Sequence, residues 1–197
     1  MSKLLKSIVS MAIAGAVSTS ALAADGTINF TGDIVAASCE ITGGSGTNVG
    51  GDKGAKAVTV NLGKVSSDSL AGTAGGGIVG GKNINLSLDC GGTAKGLTSV
   101  KLQFDPNSGS GIDSKNGMLL KTTGDAEGVG IGIYDGSNKL LNIAANETIN
   151  GTLVETKDGE TTKYKAVLDM RAGYVANGAT IKPGMANGTL PFTLTYE

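Results

Sequence analysis

Apolar residues recur at every second position in several separate segments of this chain, and this alternation restricts the fold more than any other feature of the sequence. Side chains two residues apart lie on the same face of a β-strand, so each segment predicts a strand with one buried face. The segments between them are rich in Gly, Asn, Asp and Ser, which favour tight turns. No segment after residue 23 has a sustained helical period. The alternating sets are Ile28, Phe30 and Ile34; Val58, Val60 and Leu62; Ile84, Leu86 and Leu88; Val100, Leu102 and Phe104; Val129, Ile131 and Ile133; Tyr164, Ala166, Leu168 and Met170; and Leu190, Phe192, Leu194 and Tyr196.

The first residues have the three parts of a secretory signal peptide in order. Lys3 and Lys6 give a positive start, an apolar stretch follows over residues 8–17, and residues 21–23 (Ala-Leu-Ala) form a small-x-small cleavage site. The apolar stretch is shorter than the ~20 residues that a membrane-spanning helix needs. We therefore expect residues 1–23 to be cleaved and the rest of the chain to be exported.

Export changes the meaning of the two cysteines, Cys39 and Cys90. Oxidising compartments keep such a pair bridged, so a structural disulfide is expected. A redox-active role would favour a C-x-x-C pair, which the sequence lacks. Many short strands, Gly-rich turns and one disulfide between strands predict an antiparallel sandwich of immunoglobulin type. The absence of Trp argues against a true antibody-like domain.

Composition excludes most enzyme and nucleic-acid functions. The chain has no His, so it cannot form a Ser-His-Asp triad, a Cys-His pair or an imidazole metal site. A net charge of −1, a single Arg and 4% aromatic residues argue against nucleic-acid binding. Residues 76–83 nearly match a P-loop, but Asn83 replaces the hydroxyl residue and a strand is expected to follow where a P-loop needs a helix. We expect no cofactor and no catalysis.

Two glycine-rich stretches, residues 43–54 and 72–81, have too few apolar side chains to order themselves strongly. They are predicted to be long surface loops. Residues 43–46 also resemble one copy of a calcium-binding β-roll repeat, although the aspartate of that repeat is missing. A secreted enzyme or a β-roll is therefore an alternative that a calcium-dependent melting shift would support.

The two ends of the exported chain carry the most information about function. An apolar strand is predicted directly after the cleavage site, over residues 24–34. The last alternating segment ends at Tyr196, whereas an immunoglobulin-like sandwich would follow it with one more strand. The last strand would then have an open edge, and such edges pair with other chains. The alternative is that the N-terminal strand pairs within its own domain.

With these features the chain resembles the pilin subunits of chaperone–usher fimbriae in Gram-negative bacteria, over essentially all of the exported sequence. The first matching feature is the leader followed by residues 26–34 and then Cys39. The second is the Val-Asn-Leu-Gly-Lys-Val motif at residues 60–65 together with residues 84–90. The third is a Gly fourteenth from the end, Gly184, with a penultimate Tyr196.

The resemblance implies an incomplete immunoglobulin-like antiparallel β-sandwich that lacks its last strand and is completed by donor-strand exchange. Residues 24–34 would be the donor extension and residues 35–197 the pilin domain. A periplasmic chaperone would fill the groove first, recognising the C-terminal segment, and a neighbouring subunit would replace it in a head-to-tail polymer. Donor contacts would come from Gly26, Ile28, Phe30, Gly32 and Ile34, and the acceptor groove and chaperone-recognition residues would be Gly184, Leu190, Phe192, Leu194 and Tyr196.

The same resemblance implies a structural subunit that reaches the cell-surface fimbria through the periplasm and an outer-membrane usher and supports bacterial adhesion; the sequence does not identify a host receptor. The alternative is a minor tip-adaptor or receptor-binding subunit, since the extension before Cys39 is short. A two-domain adhesin would need a further lectin domain and would lack a donor strand. Pro191 departs from an ideal last strand, because it removes one hydrogen-bond donor.

Overall fold

A computed structural model of the chain describes residues 39–44, 47–51, 56–71 and 77–197. The predicted signal peptide and donor extension, residues 1–23 and 24–34, lie outside the described residues. None of the helices in the described part is long and apolar enough to cross a membrane. The strands are β1 Glu40–Gly43, β2 Asn48–Gly50, β3 Ala57–Thr59, β4 Val79–Asp89, β5 Ser99–Phe104, β6 Leu120–Lys121, β7 Val129–Asp135, β8 Thr148–Thr152, β9 Val154–Asp158, β10 Thr161–Ala176 and β11 Phe192–Tyr196; the helices are α1 Ser67–Ala71 and the 3-10 turns Pro106–Ser108 and Ile143–Ala145.

The larger sheet is antiparallel and has the strand order β1-β4-β10-β7-β6, with β9 paired to the first residues of β10. Its centre is the long pairing of β4 with β10, in which Leu88 lies opposite Ala166 and Leu86 opposite Leu168. These buried residues alternate with exposed or half-exposed ones, so both strands turn their buried apolar side chains to the same face. The core is built on that face.

The smaller sheet has the order β11-β5-β8 and is also antiparallel. Val100 and Leu102 of β5 and Ile149 of β8 join the same buried cluster as Leu88 and Leu168 of the larger sheet. The two sheets therefore enclose one core between them. The structure is an incomplete immunoglobulin-like β-sandwich, as the alternation and the resemblance predicted.

Strand β7 is buried on both faces. Ile131 and Ile133 turn to the main core, while a second cluster of Leu119, Tyr134 and Val175 lies apart from it. A Cβ atom at Gly130 would lie 2.8 Å from the Leu119 Cβ, so the glycine makes room for this cluster. The outer face of the larger sheet is thus partly covered by the chain itself.

Several strand predictions are confirmed with wider bounds, namely those at 84–88, 100–104, 129–133 and 164–170. The predicted strand over 58–62 is shorter, because pairing ends at Thr59. The last strand begins at Phe192, immediately after Pro191 and not around it. The alternating set that begins at Ile28 lies outside the described residues.

The prediction of loops over 43–54 and 72–81 is wrong in part. Asn48–Gly50 forms β2, where Val49 pairs with Val58 and packs against the core, and Val79 opens β4. A single half-buried valine and a strand partner supply the order that composition alone did not indicate. Residues 45–46, 52–55 and 72–76 lie outside the described part of the chain.

Candidate functional site

Strand β11 lies at the edge of the smaller sheet and uses only half of its backbone groups to pair with β5. Glu197 and Ser99 exchange two hydrogen bonds, from Glu197 N to Ser99 O at 3.0 Å and from Ser99 N to Glu197 O at 2.9 Å. In an antiparallel pair such exchanges recur at every second residue, so Phe192, Leu194 and Tyr196 point their N–H and C=O groups away from β5. No other strand of the described chain pairs with that edge.

Pro191 marks the start of this edge. Its carbonyl accepts a hydrogen bond from Asp105 N at 2.8 Å. Pro191 lies opposite Asp105, two residues before Thr193, where an antiparallel pair would normally exchange two hydrogen bonds. Because proline has no N–H, the return bond is missing there. The sequence predicted this single missing bond, and the pairing with β5 then continues regularly from Phe192.

The inner face of β11 is apolar and only half-buried. Phe192, Leu194 and Tyr196 pack against the main core but remain partly exposed, as does Leu190 before them. Their partners on β5 are Phe104, Leu102 and Val100, which are 7%, 1% and 0% exposed. The apolar side chains of β11 are therefore less buried than those of β5, the neighbouring strand in the same sheet.

A second half-buried apolar row lies at residues 58–62. Val58, Val60 and Leu62 alternate along the chain and pack against the same core as β11. Val60, Asn61 and Leu62 make no backbone–backbone hydrogen bond with the rest of the described chain. We call β11 and residues 58–62 the two walls of the groove, since each combines a partly covered apolar row with free backbone groups.

One end of the groove lies at the disulfide. Cys39 is bonded to Cys90, as predicted, and the phenol of Tyr196 makes a hydrogen bond with the Cys39 backbone. Burial raises the pKa of Tyr196, and this hydrogen bond lowers that pKa by less. The end of β11 is also held by an ion pair between Lys101 and Glu197 at 2.6 Å, which is half-exposed and so contributes little.

The other end of the groove opens into a cavity of about 440 Å³. Gly63, Lys64 and Val65, which continue the second wall, line it together with residues 181–187, which precede β11. The hydroxyl of Tyr174 donates to Ala186 O at 2.9 Å and fixes one side of it. The segments that line the cavity thus adjoin both walls along the chain: residues 63–65 follow the second wall, and residues 181–187 precede β11.

The structure brings four of the five predicted acceptor residues together on one face: Leu190, Phe192, Leu194 and Tyr196. Gly184 is not on β11. It lies in a segment bridged to residues 123–127, and a Cβ there would lie 2.6 Å from the backbone of Asp125 and of Ala126. Gly184 lines the cavity, in the segment that precedes β11 along the chain.

The predicted donor residues Gly26, Ile28, Phe30, Gly32 and Ile34 lie outside the described residues. The roles of donor and acceptor residues therefore stay predictions. Sequence reasoning missed the second wall, because the alternation of Val58, Val60 and Leu62 predicts only a strand with one buried face. Their alternation was visible, but only the structure reveals that their pairing ends at Thr59.

Comparison with known proteins identifies the family. A model of the fimbrial protein family matches residues 28–197. The chain belongs to the fimbrial protein family. "Long polar fimbria protein A" of Salmonella typhimurium strain LT2 is 34% identical over 196 residues, covering 98% of this chain and 97% of that protein. "Probable major fimbrial subunit LpfA" of Escherichia coli O157:H7 is 30% identical over 200 residues, covering 100% and 98%.

A further fimbrial relative is "Type-1 fimbrial protein, A chain" of Escherichia coli K12, which is 30% identical with 91% of each chain covered. Among solved structures, a chain of a chaperone–usher pilus described for the basis of rod uncoiling matches with a TM-score of 0.51 at 22% identity. The match covers 88% of this chain and 96% of that chain, and it concerns the fold alone. Membership of the fimbrial family confirms the resemblance read from the sequence.

Proposed function

We propose that this fimbrial protein is a structural subunit of a surface fimbria, polymerised by donor-strand exchange. Its groove, between β11 and residues 58–62, would accept residues 24–34 of another copy. The observation that carries this proposal is the open edge of β11, where Phe192, Leu194 and Tyr196 combine free backbone groups with half-buried apolar side chains. An added strand satisfies both needs at once.

The donor segment has the chemistry that the groove requires. Its Ile28, Phe30 and Ile34 share one face at strand spacing, and glycines at 26 and 32 keep parts of that face small. Burying each large side chain contributes about 1.5–3 kcal/mol. Each ladder hydrogen bond adds about 0.5–1.5 kcal/mol. Completion of the neighbour's fold would thus drive assembly without a nucleotide.

Assembly of this kind needs partners before the fibre forms. The predicted signal peptide, residues 1–23, would direct the chain into the periplasm. There a chaperone would cover the groove, because an exposed apolar edge strand promotes aggregation. An outer-membrane usher would then pass the subunit to the growing fibre. Chaperone and usher are proposals that rest on the family.

A main structural role is supported by the relatives, since two that cover nearly the whole chain are named as a long polar fimbria protein and a probable major fimbrial subunit. A minor tip-adaptor role is the alternative. Electron microscopy of cells with and without this subunit separates the two. Loss of all fibres would indicate the rod, and fibres of normal length without the subunit would indicate a minor role.

Deletion of residues 24–34 tests the donor assignment. The shortened chain should accumulate in the periplasm in a chaperone complex, yet fail to form the SDS-resistant multimers expected of the full chain. Phe30→Asp should reduce multimers strongly, because it places a charge in the apolar groove. The matched control is Asn29→Asp, on the opposite face of the strand, which should polymerise normally. Undiminished polymerisation of the deletion variant would refute the donor role.

A further inference from the structure

Strands β9 and β10 form a hairpin that extends past the ends of the neighbouring strands β4 and β8. The pairing of β10 with β4 begins only at Lys165 opposite Asp89, and β8 ends at Thr152 opposite Ser99. Tyr164 still exchanges hydrogen bonds with the chain after β4, donating to Gly91 O and accepting from Cys90 N. The three residues of β10 before Tyr164 pair only with β9 among the described strands, so the hairpin projects by about 10 Å.

The hairpin projects at the end of the molecule where the proposed donor segment joins the domain. Glu40, the first residue of β1, lies opposite Asp89, which also faces Lys165 at the base of the hairpin. Cys39 directly precedes Glu40 and is bonded to Cys90. Only four residues separate Cys39 from Ile34, and such a link spans at most about 17 Å. A subunit that holds residues 24–34 must therefore lie close to this hairpin.

The opposite end of the neighbouring subunit is the surface that comes close. A donor strand antiparallel to β11 continues the antiparallel pairing of the smaller sheet, and its last residues then lie beside Phe192, next to the cavity. Entry from this end also leaves the disulfide end free for the neighbour's own donor segment. Each contact is then head-to-tail, as an open fibre requires.

Both surfaces carry exposed side chains of opposite charge, among which Glu160 and Lys64 can pair. At the hairpin tip Lys163 pairs with Asp158 at 2.7 Å, whereas Glu160 is exposed and has no ion pair with any described residue. At the cavity end Lys182 pairs with Glu127 at 2.8 Å, whereas Lys64 is exposed and has no ion pair within the described chain. Lys157 on the hairpin, and Asp68 and Asp125 beside the cavity, are likewise exposed and form no ion pair with any described residue, so Glu160 and Lys64 are one pair of opposite charge among several exposed charges.

The cavity end also offers apolar surface. Met185 lines the cavity and is 64% exposed, which makes it one of the most exposed large hydrophobic side chains of the described chain. We propose that the β9–β10 hairpin of one subunit docks on the cavity end of the next copy, with Glu160 facing Lys64 beside Met185. This inference rests on the proposed donor-strand exchange and adds a second contact between successive subunits.

Cross-linking of isolated fibres tests the docking. The native cysteines are already bonded to each other, so a chain with Glu160→Cys and Lys64→Cys carries one new thiol on each proposed surface. After oxidation we expect a covalent ladder that survives boiling in SDS and collapses on addition of reductant. The control chain carries Glu160→Cys with Asn150→Cys, which lies exposed on β8, and should give no ladder.

Charge-reversal variants provide a second test, which does not depend on correct folding of the cysteine variants. Glu160→Lys and Lys64→Glu should each speed fibre dissociation at low salt by about two- to five-fold, as expected for a surface ion pair, and the double variant should restore the rate. Normal fibres with no covalent ladder, or no rescue by the double variant, would overturn the docking alone. Fibres that form without residues 24–34 would instead overturn the proposed function.

Discussion

Three residues of β11 can bind a donor strand both through apolar side chains and through backbone hydrogen bonds. Phe192, Leu194 and Tyr196 turn their side chains to the core and their N–H and C=O groups to the open edge. Thr193 and Thr195 do the opposite, since they face solvent and bond to β5. Because the two sets alternate, substitutions at neighbouring positions separate groove effects from effects on β5 pairing.

Leu194→Ala should weaken the retention of a donor strand. A suitable measurement uses a self-complemented variant, in which a second copy of residues 24–34 follows Glu197 after a short turn. We expect its free energy of unfolding to fall by about 1–3 kcal/mol, because a partly buried leucine loses apolar contacts with the core and the donor. Thr195→Ala is the matched control and should change it by less than about 0.5 kcal/mol. Equal effects would contradict the groove assignment.

Gly184→Ala tests whether this glycine acts through local packing. Its Cβ would lie 2.6 Å from backbone atoms of Asp125 and Ala126, so the bridged segment must shift. We expect a loss of about 1–3 kcal/mol in the same self-complemented variant. Gly117→Ala is a suitable control, since nothing lies within 4 Å of its added Cβ. A variant that keeps full stability yet is not captured by the chaperone would show direct recognition instead.

Among the strands, β1 has few stabilising contacts of its own and is held in place by the disulfide bond next to it. Its four residues, Glu40–Gly43, include a single buried side chain, Ile41, and pair only with β4 among the described strands. The bond from Cys39 to Cys90 joins the start of β1 to the end of β4. The disulfide thus fixes the point from which the proposed donor segment leaves the domain.

Replacing both cysteines by serine should cost about 2–5 kcal/mol of stability, since the bond closes a loop with a sequence separation of 51 residues. Denaturant unfolding of the self-complemented variant, with and without the cysteines, measures the loss. Thr42→Ser on the exposed face of β1 provides the control. Coinciding midpoints for the disulfide and serine forms would contradict this expectation.

Strands with an alternating row of apolar side chains were predictable, and strands without such a row were not. β4, β5, β7 and β10 alternate over long stretches, whereas β9 has no buried residue and β8 buries only Ile149 and Gly151. These short strands form because partners already placed by the core present free backbone groups to them. The alternation of apolar residues along the sequence cannot predict strands that form in this way.

For the whole molecule, stability should be flat from about pH 5 to 8 and fall above about pH 10. The chain has no His, so no side chain normally titrates in the lower range. Burial raises the pKa of Tyr134, Tyr174 and Tyr196 in the folded state. The folded chain then binds more protons than the unfolded chain once the unfolded phenols ionise near about pH 10, so stability falls as pH rises further.

Denaturant midpoints of the self-complemented variant, measured across this range, check the expectation. Absorbance at 295 nm follows the phenols directly in the folded protein. Phenols that all ionise at the ordinary tyrosine pKa, with unchanged midpoints above that pH, would contradict it.

The sequence by itself determined the all-β class, the disulfide, the long core strands and the family, because each is encoded in spacing along the chain. Apolar alternation favours strands, and two cysteines allow only one pairing within the chain. Only the tertiary structure decided which strand edges have no partner among the described residues, that residues 58–62 form a second groove wall, and that the β9–β10 hairpin projects beside the disulfide. Free edges and projections depend on which strands meet across the sheets, and local periodicity carries no information about those long-range contacts.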